Sequence, residues 1–537
     1  MNITKSSAGH NLPEPGRKPP ASALPVFPKA SLALTADLYL LTMAQGYFLS
    51  GMESRSSVFH MFYRHPPFGG RYIVVAGIGP FADWLEALTF TDEDVSFLAS
   101  IPGKDGRPIF VATFLEFLQQ WRFRGSIEAV PEGTILFPHE PIVRVRAPLL
   151  DAQVIEAALL AIINHQSLIA TKASRVRLAA GSDEVLEFGL RRSHGLDGGL
   201  SSSRAAHIGG ADATSNVLAA ARFGIPVRGT HAHSWVMAFD NEIEAFTTYG
   251  DLFPHNSVLL VDTYDTLEGV KKAIEVGLRL RNKGADLMGI RLDSGDLAYL
   301  AIEARRLLDA SGFRATKIVA SNDLDERLIT SLKIQGAPID IWGVGTKLAT
   351  AFDEPALGGV YKLAAVENAE GKMVARMKIS EQSAKTSIPG CLDVARLSRD
   401  SHTLGDVIFD TLTELPPGQH EKIITIISPE DPWQRKAISV KAIEVTQLLE
   451  PLFENGIRVG RKETLTAMRD RAQESLATFD RAIFRFDNPH AYAAGLSQAL
   501  FERRQMMRDH EFEKIKIRLA TLANANKNGH GNGTSGT

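Results

Sequence analysis

The stretch GIRLDSGDLAYL, residues 289–300, joins a strand pattern to a helix pattern. The apolar LMGIRL predicts a buried strand that ends at Asp293-Ser294-Gly295, and a helix is expected from Asp296. Asp, Ser and Gly are typical of tight turns that cap a helix N-terminus. Such a turn presents backbone N–H groups, a hydroxyl and a carboxylate together, which suits a phosphate or a magnesium-bound phosphate. Taken alone, the motif is more often an ordinary capped turn.

The same order of strand, polar turn and helix recurs along the middle of the chain. Apolar runs end in EVLEFG at Gly189, IPVRGT at Thr230, SVLLVDT at Thr263, KIVASND at Asp323 and IDIWGVGT at Thr346, and VYKLAAV from Val360 predicts one more strand. Near-continuous apolar strands are typical of parallel strands that are covered on both faces. Six or seven such units in series predict a closed or nearly closed α/β barrel, with an open doubly wound sheet as the alternative.

The strand ends carry the chemically unusual residues, and ligands bind at the C-terminal strand ends in either architecture. These residues are Arg191, Thr230, His231, His233, Asp262, Arg291, Asp293, Ser321, Asn322, Gly345 and Thr346. The two histidines of GTHAHSW lack a third ligand at a metal-binding spacing, which disfavours a zinc site. A nucleophilic or acid/base histidine and a structural histidine both stay open. The glycine-rich GVGT, residues 343–346, suits a phosphate cradle.

Composition places the chain among ordinary globular proteins and excludes several classes. Its 537 residues are 44% hydrophobic and 23% charged, which predicts two or three domains. A net charge of −3 disfavours a nucleic-acid partner. One cysteine, Cys391, excludes a disulfide framework and fits a reducing compartment. The longest apolar stretch is interrupted by Asp151 and Glu156, and no secretory signal is visible. We therefore expect a cytoplasmic protein without a membrane partner.

The remaining sequence predicts the domain order. Residues 1–30 and 523–537 have the composition of disordered tails. Residues 31–150 predict an α/β sandwich domain, completed by about 370–445, before a barrel at 151–369 and a helical segment at 446–522, in which VTQLLEPLFENG is expected to be an amphipathic helix. Tyr39 lies in the first turn of a predicted helix. Arg64, His65 and Arg71 surround a Pro-Pro-Phe-Gly-Gly loop that suits an anion in its own or a neighbouring subunit, and equally a solvated surface.

Several motifs occur in one order between residues 31 and 390: TADLYLLTMAQGYF, FYRHPPFGG, LEFGLRRSHGLDGG, GGADATSNVLAA, GTHAHSWV, VDTYDT, GIRLDSGDL, ASNDLDE, GVGTKLAT, LGGVYKL and RMKIS. In this order they resemble the nicotinate phosphoribosyltransferase family. The resemblance implies the core of type II phosphoribosyltransferases, an α/β sandwich domain with an irregular α/β barrel, in a homodimer with active sites near the subunit interface. It implies that nicotinate and 5-phosphoribosyl 1-diphosphate are joined with release of diphosphate, using Mg²⁺ and coupled to ATP hydrolysis.

The resemblance also implies residue roles. His233 matches the phosphorylated histidine of the family, whereas His231 falls at a variable position and stays unassigned. Contacts to nicotinate are expected from Tyr39, Arg191, Thr230 and Arg291. The phosphoribosyl and phosphate groups are expected to be held by Arg64, Ser321, Asn322, Gly345 and Thr346, and Mg²⁺ by Asp293. A flat ring with a carboxylate suits an aromatic face and a guanidinium.

Three other interpretations stay open. A nicotinamide phosphoribosyltransferase would share the fold, although LDSGDL and GVGT fit the nicotinate branch better. A barrel lyase or aldolase would need a catalytic lysine at a strand end, for which Lys362 is the candidate. A scaffold without catalytic activity would be favoured by the loss of His233 or Arg291, and both residues are present.

Overall fold

A computed structural model describes residues 32–379 and 386–529, with residues 519–529 described by their backbone alone. The predicted N-terminal tail lies outside this range. The predicted C-terminal tail is described as far as Gly529, where it continues a helix, and the remainder lies outside the described residues. The mixed α/β class is confirmed. Over the described chain, no helix has both the length and the apolar content needed to cross a membrane.

The described residues contain sixteen α-helices and twenty-one β-strands. The helices are α1 (Leu38–Leu49), α2 (Ile78–Ala87), α3 (Asp92–Ser100), α4 (Ala112–Gln120), α5 (Leu149–Val154), α6 (Glu156–Ala180), α7 (Gly195–Ile208), α8 (Val217–Phe223), α9 (His233–Met237), α10 (Glu242–Leu252), α11 (Thr266–Arg281), α12 (Leu297–Ala310), α13 (Glu326–Ile334), α14 (Thr346–Ala349), α15 (Leu465–Thr478) and α16 (Gln498–Gly529). The strands are β1 (Ser56–Tyr63), β2 (Ile73–Val74), β3 (Ser126–Ala129), β4 (Ile135–Leu136), β5 (Val143–Pro148), β6 (Glu184–Glu187), β7 (Ala213–Thr214), β8 (Val258–Leu260), β9 (Gly289–Leu292), β10 (Lys317–Ala320), β11 (Ile341–Val344), β12 (Gly359–Glu367), β13 (Met373–Ala375), β14 (Leu392–Arg399), β15 (His402–Asp410), β16 (Ile423–Ile427), β17 (Arg435–Ser439), β18 (Glu444–Gln447), β19 (Glu450–Glu454), β20 (Ile457–Arg458) and β21 (Ala494–Leu496).

The parallel sheet is a curled half-barrel of six strands in the order β7-β6-β11-β10-β9-β8. Each neighbouring pair in it is parallel. Its strands are apolar because helices cover them, and Ile290, Leu292 and Val344 are fully buried. Asp296 caps α12 by accepting hydrogen bonds from the backbone of Ala298 and Tyr299, as the opening motif predicts. The recurring strand–turn–helix pattern therefore builds one sheet whose strand ends share an edge.

One predicted member of the parallel sheet is almost absent. Instead of a strand at IPVRGT, the chain makes an isolated parallel bridge from Val227 to Thr214 of β7. Residues 226–229 are exposed, so this segment lacks the covering that stabilises a parallel strand.

At the opposite edge of the parallel sheet, the backbone N–H of Leu260 in β8 donates to Nε2 of His231 across 3.2 Å. A side chain therefore replaces the strand partner that β8 would otherwise need.

The first sheet has seven strands in the order β13-β12-β1-β5-β3-β19-β20, and its neighbouring strands are antiparallel. The prediction that Val360 begins a further barrel strand is wrong, because β12 pairs with β1 and Lys362 lies opposite His60. A short apolar run does not distinguish a parallel barrel strand from an antiparallel one. The first sheet is joined to the half-barrel by α6, which packs against α13 and α7.

The predicted helix VTQLLEPLFENG is also wrong, since this segment forms β18 and β19. Pro451 disfavours a helix here because its ring removes a backbone donor. Asn455 and Gly456 follow with φ angles of 50° and 81°, the conformation of a tight hairpin turn that joins β19 to β20. Later in the segment predicted to be helical, at 446–522, the chain does form α15 and the start of α16.

The C-terminal sheet has the order β17-β16-β21-β15-β14-β18 and meets the first sheet near Cys391. Cys391 is 3% exposed and packs against Val58, Ala365 and Met373, which lie on three strands of the first sheet. His60 of β1 adds a polar contact at this junction, because its Nε2 accepts the backbone N–H of Leu392 at 3.0 Å. The two sheets are therefore joined by an apolar cluster and a buried hydrogen bond.

Candidate active site

The C-terminal ends of the parallel strands bring most of the predicted site residues together. We call the group formed by Thr230, His233, Asp262, Arg291, Asp293 and Ser321 the strand-end cluster. Its members come from segments that are distant in sequence, and they are joined by the hydrogen bonds described below and by an ion pair of Arg291 with Asp293 at 3.9 Å. This placement agrees with the general position of ligand sites in parallel α/β sheets.

Asp262 is the centre of the strand-end cluster. Its side chain is 1% exposed, and its Oδ1 lies 3.2 Å from Nε2 of His233. Its Oδ2 accepts hydrogen bonds from the backbone N–H of Asp293 at 2.8 Å and from the hydroxyl of Ser294 at 2.7 Å. Asp262 therefore fixes the imidazole of His233 relative to the turn after β9. The sequence placed Asp262 at a strand end but gave it no role, because the pairing depends on side-chain direction.

His233 is the first residue of α9, and its side chain is 38% exposed. Because Nε2 faces Asp262, Nδ1 is the ring nitrogen left for a reaction partner. A neutral imidazole nitrogen that is oriented by a carboxylate can act as a nucleophile or as a base. The arrangement has the elements of an activated histidine: an accessible ring, and a buried acceptor that holds one of its nitrogens.

Arg291 lies beside this pair. Its Nη1 donates to Oγ1 of Thr230 at 2.7 Å and to the carbonyl of His231 at 3.4 Å. Its Nε is buried and has no hydrogen-bond partner among the described residues. Burial lowers the pKa of Arg291, an effect that the nearby Asp293 and Asp262 oppose and that the charge of Arg191 increases. The guanidinium is thus oriented by Thr230 and keeps donors for a further acceptor, such as a ligand carboxylate.

The turns after β9 and β10 are locked to each other. The hydroxyl of Ser321 donates to Oδ1 of Asp293, and the backbone N–H of Ser321 donates to the carbonyl of Leu292 at 2.9 Å. Asn322 and Asp323 follow with φ angles of 90° and 40°. Left-handed backbone at two consecutive non-glycine residues is uncommon and is often found at functional loops.

The loops after β6 and β11 approach each other through glycine. A Cβ on Gly343 would lie 2.8 Å from the ring of Phe188, and a Cβ on Gly189 would lie 2.2 Å from the Cβ of Ala349. Both positions therefore require glycine. This close approach places Gly345 and Thr346, at the start of α14, beside the turn that carries Arg191, which is exposed. Gly345 and Thr346 thus open α14 at the same sheet edge as the strand-end cluster.

His231 has a structural position rather than an open one. It is 8% exposed, its ring packs edge-on against Tyr249 at 4.7 Å, and its Nε2 accepts the N–H of Leu260. Burial lowers the pKa of His231 to about 4. His231 therefore anchors the segment between Thr230 and His233 to β8.

Tyr39 and Arg64 lie in a second group, which we call the Tyr39 cluster: Tyr39, Arg64, Glu156, Lys362 and Lys378. Burial and the neighbouring Glu156 raise the pKa of Tyr39, which is 48% exposed on α1. Burial lowers the pKa of Lys362, and the charges of Arg64 and Lys378 lower it further. Within the described residues, no hydrogen bond or ion pair joins this cluster to Arg291, His233 or Asp293.

The position of Lys362 also bears on the lyase interpretation. Lys362 lies within β12 of the first sheet, opposite His60, and not at an end of the parallel sheet. The one lysine suggested as a Schiff-base residue therefore does not lie at an end of a barrel strand, where a lyase would need it.

Metal binding can be judged from the carboxylates present. The described part of the chain has no group of three or more His, Cys, Asp or Glu residues arranged to hold a metal ion. Mg²⁺ commonly keeps waters and uses one or two carboxylates together with substrate phosphates. Asp293, whose side chain is 27% exposed, fits that kind of partial ligand set.

Comparisons with known proteins identify relatives over most of the chain. Models of the N-terminal domain, the family region and the C-terminal domain of nicotinate phosphoribosyltransferase match residues 34–164, 184–406 and 393–504. Nicotinate phosphoribosyltransferase of Bacillus subtilis is 42% identical over 490 residues, covering 90% of this chain and 96% of that protein. Nicotinate phosphoribosyltransferase pncB2 of Mycobacterium tuberculosis is 40% identical over 445 residues, covering 83% and 87%.

A solved structure supports the same conclusion. Human nicotinic acid phosphoribosyltransferase matches with a TM-score of 0.76 and 30% identity, covering 88% of this chain and 99% of that one. The similarity extends over the first sheet, the half-barrel and the C-terminal sheet, since the family models reach from residue 34 to residue 504. The chain therefore belongs to the nicotinate phosphoribosyltransferase family.

Proposed function

We propose that the protein joins nicotinate to 5-phosphoribosyl 1-diphosphate, forming nicotinate mononucleotide and diphosphate for NAD biosynthesis. The observation that carries the proposal is Arg291, whose largely buried guanidinium is oriented by Thr230 and whose side chain keeps 12% of its surface exposed. A buried donor of this kind stabilises a carboxylate through charge-assisted hydrogen bonds. Nicotinate has that carboxylate and nicotinamide lacks it, so the geometry favours the acid as substrate.

The reaction forms a bond from the pyridine nitrogen to the anomeric carbon and breaks the bond from that carbon to diphosphate. Its transition state has oxocarbenium character, so the protein acts by alignment and by stabilising the departing diphosphate. We assign the phosphoribosyl and phosphate groups to Ser321, Asn322, Gly345 and Thr346, in the loops after β10 and β11. Hydroxyls and backbone N–H groups at these turns are suitable donors to phosphate oxygens.

We assign a Mg²⁺ ion to Asp293, with the remaining ligands from water and the donor's phosphate oxygens. When bound, Mg²⁺ would neutralise charge on the diphosphate. The side chain of Asp293 is held by Ser321, and its backbone N–H is held by Asp262. The chain thus fixes the carboxylate in one orientation, with 27% of the side chain exposed.

ATP is assigned as a co-substrate that phosphorylates His233. Nδ1 would attack the γ-phosphorus, the bond to the β-phosphate oxygen would break, and ADP would leave. Water would then release phosphate from the imidazole. The contact between Nε2 and Asp262 supports Nδ1 as the attacking atom, and a carboxylate stabilises the imidazole as it gains positive character.

We further propose a homodimer in which Tyr39 and Arg64 of one protomer complete the site of the other. Among the described residues neither side chain has a hydrogen bond or ion pair with Arg291, His233 or Asp293, which supports this arrangement because the resemblance gives Tyr39 and Arg64 roles at nicotinate and phosphate. Tyr39 and Leu38 are each 48% exposed on α1, and Met43 is 38% exposed, so this helix presents apolar surface to a partner. The ring of Tyr39 would then stack on nicotinate.

We also propose the complete fold of the type II phosphoribosyltransferases and a cytoplasmic location for this protein. Six parallel strands and a seven-stranded antiparallel sheet support the irregular barrel and the α/β sandwich of type II phosphoribosyltransferases. We place the reaction in the cytoplasm, because Cys391 is the only cysteine of the chain and is a buried free thiol.

The deciding experiment is a nucleotide-formation assay with nicotinate, nicotinamide and quinolinate in parallel, each with and without ATP. We expect turnover of nicotinate alone, with stimulation by ATP and a requirement for Mg²⁺. The Arg291→Ala variant serves as the control for a contaminating enzyme. Equal turnover of nicotinamide would contradict the assignment of the acid, and turnover unaffected by ATP would contradict the role given to His233.

A further inference from the structure

Lys172 of α6 is fully buried, with 0% of its side chain exposed. Its Nζ lies 2.7 Å from Oε2 of Glu326 and 2.6 Å from Oδ2 of Asp353. The same Nζ lies 4.9 Å from the centre of the Phe68 ring. A buried ammonium is strongly unfavourable unless it is paired. The contacts with Glu326, Asp353 and Phe68 therefore stabilise the charge of Lys172, and Lys172 in turn keeps these three residues together.

The three partners lie in three different segments. Phe68 belongs to the loop that follows β1 and carries Arg64. Glu326 is the first residue of α13, directly after the turn that carries Ser321 and Asn322. Asp353 follows α14, whose start is formed by Gly345 and Thr346. Ser321, Asn322, Gly345 and Thr346, which are proposed to bind phosphoribosyl and phosphate groups, therefore lie in two segments that meet at Lys172, and the Arg64 loop, proposed to serve the partner's site, meets them there.

Neighbouring contacts reinforce this meeting point. Arg175, which is 1% exposed, donates from Nε to Oε1 of Glu326 at 2.8 Å, and its guanidinium packs over Phe68 at 5.8 Å. Nearer the surface, Lys347 pairs with Asp325 at 2.5 Å and links the loops after β10 and β11 a second time. Of these cations, Lys172 contacts all three segments.

We propose that Lys172 is a positioning residue for the sugar donor: its ammonium fixes the two phosphate-binding segments after β10 and β11 relative to each other and to the Arg64 loop. This inference rests on the proposed function of those segments. Lys172 does not touch the substrate, because its side chain has no exposed surface. Its effect is transmitted through Phe68, Glu326 and Asp353. A misplacement of phosphate-binding groups by about 1 Å can reduce catalysis by roughly a hundredfold.

The test compares Lys172→Met, Lys172→Arg and Asp353→Asn with the unsubstituted protein. Methionine keeps the length and packing of lysine but removes the charge. We expect Lys172→Met to raise the KM for 5-phosphoribosyl 1-diphosphate by about ten- to a hundredfold, and the KM for nicotinate by less than about twofold. Asp353→Asn should change the donor KM in the same direction by a smaller factor, and Lys172→Arg should recover part of the loss.

Lys333→Met is the matched control. Lys333 lies at the other end of α13 and pairs with Asp183 at 2.7 Å, far along the helix from Glu326. We expect this variant to lower Tm without changing either KM. Tm and both KM values are measured for every variant, so that a loss of folded protein is separated from a loss of donor binding.

The outcomes separate this inference from the proposed function. Absence of nicotinate turnover in the unsubstituted protein would contradict the proposed function, whereas the inference depends only on ratios between variant and parent. Equal increases in both KM values, or a lower Tm with an unchanged donor KM, would overturn the positioning role. If Lys172→Met does not fold, Asp353→Asn decides, because the side chain of Asp353 is 48% exposed. An unchanged donor KM in that variant would also overturn the inference.

Discussion

The partly exposed imidazole of His233 pairs with the buried carboxylate of Asp262, and its Nε2 lies 3.2 Å from Oδ1 of that carboxylate. The two residues are brought together by the end of β8 and the start of α9. The other oxygen of Asp262 is occupied by the turn after β9. The ring is therefore oriented by a carboxylate that is itself held in place, which leaves Nδ1 as its reactive atom.

The sharpest prediction concerns His233 itself. His233→Ala is expected to lose ATP stimulation and all acid-labile phosphate, while keeping a slow ATP-independent reaction, because other residues bind the ring and the donor. Incubation with γ-labelled ATP and peptide mapping checks this. The control is His231→Gln, whose amide oxygen can still accept the N–H of Leu260, and it should be labelled normally. Label that persists in His233→Ala and disappears in His231→Gln would reverse the assignment.

Asp262→Asn should slow the phosphorylation of His233 by at least about tenfold, because an amide can no longer accept from His233, Asp293 and Ser294 at once and the ring loses its orientation. Rapid-quench measurement of labelled protein gives the rate. Asp265→Asn is the matched substitution, since Asp265 only caps α11 and asparagine is an equally good cap. A similar decrease in both variants would show that the effect is not specific to Asp262.

Arg291→Ala should raise the KM for nicotinate far more than the KM for the sugar donor. A charge-assisted pair contributes on the order of 1.5–3 kcal/mol, which corresponds to roughly ten- to a hundredfold in KM. Steady-state kinetics with each substrate varied in turn measures both values. Arg279→Ala, which removes an exposed pair with Asp251, should leave both unchanged. Equal increases for the two substrates would count against the carboxylate contact.

Tyr39→Ala should raise the KM for nicotinate, and Tyr39→Phe should raise it less if the ring of Tyr39 acts by stacking. Steady-state kinetics with nicotinate varied measures both values.

The proposed homodimer can be tested by complementation between Tyr39→Ala and His233→Ala subunits. Random mixing by refolding should restore roughly a quarter of the ATP-stimulated activity, since half of the dimers are mixed and each has one intact site. No recovery in mixtures that contain mixed dimers would place Tyr39 in the site of its own chain.

Stability should depend on pH through His60. Burial lowers the pKa of His60 to about 3, from an ordinary value of 6.5, so the unfolded chain binds a proton first as the pH falls. The contribution of neutral, buried His60 to the free energy of unfolding is fully present above about pH 6.5, and it is lost as the pH falls toward about 3. Urea unfolding between these limits measures it. His60→Gln keeps an acceptor for Leu392 but cannot titrate, so its stability should fall less; an identical decrease would contradict this account.

The position of several candidate site residues at one sheet edge could be predicted for a physical reason. Parallel strands bring their C-terminal ends to one edge of the sheet. Thr230 and Arg291 could therefore be expected near each other, although they are 61 positions apart in the sequence. The pairing of Asp262 with His233 could not be predicted in the same way, because strand order alone does not give side-chain direction. The structural role of His231 depends on an unpaired N–H of β8, which no local pattern reveals.

The errors in the fold prediction also have specific causes. The apolar run at Val360 suits either sheet, and only its pairing with β1 decides between them. In the segment before α15, Pro451 and the Asn455-Gly456 turn are hairpin signals that outweigh the apolar spacing of a helix. The roles of Tyr39 and Arg64 at the ligands stay predictions, because the resemblance implies active sites near a subunit interface and a single chain shows only which residues it brings together itself.

Cys391 is a buried free thiol whose reaction with alkylating reagents can report on opening of the structure around it. Burial raises the pKa of its thiol, and the thiolate is the form that reacts with alkylating reagents. Because it is the only cysteine and lies where the first and C-terminal sheets meet, the native protein should behave toward such reagents as a cysteine-free protein. Its alkylation rate then reports how often these two sheets separate, and a cysteine introduced on the surface would carry a fluorescent label alone.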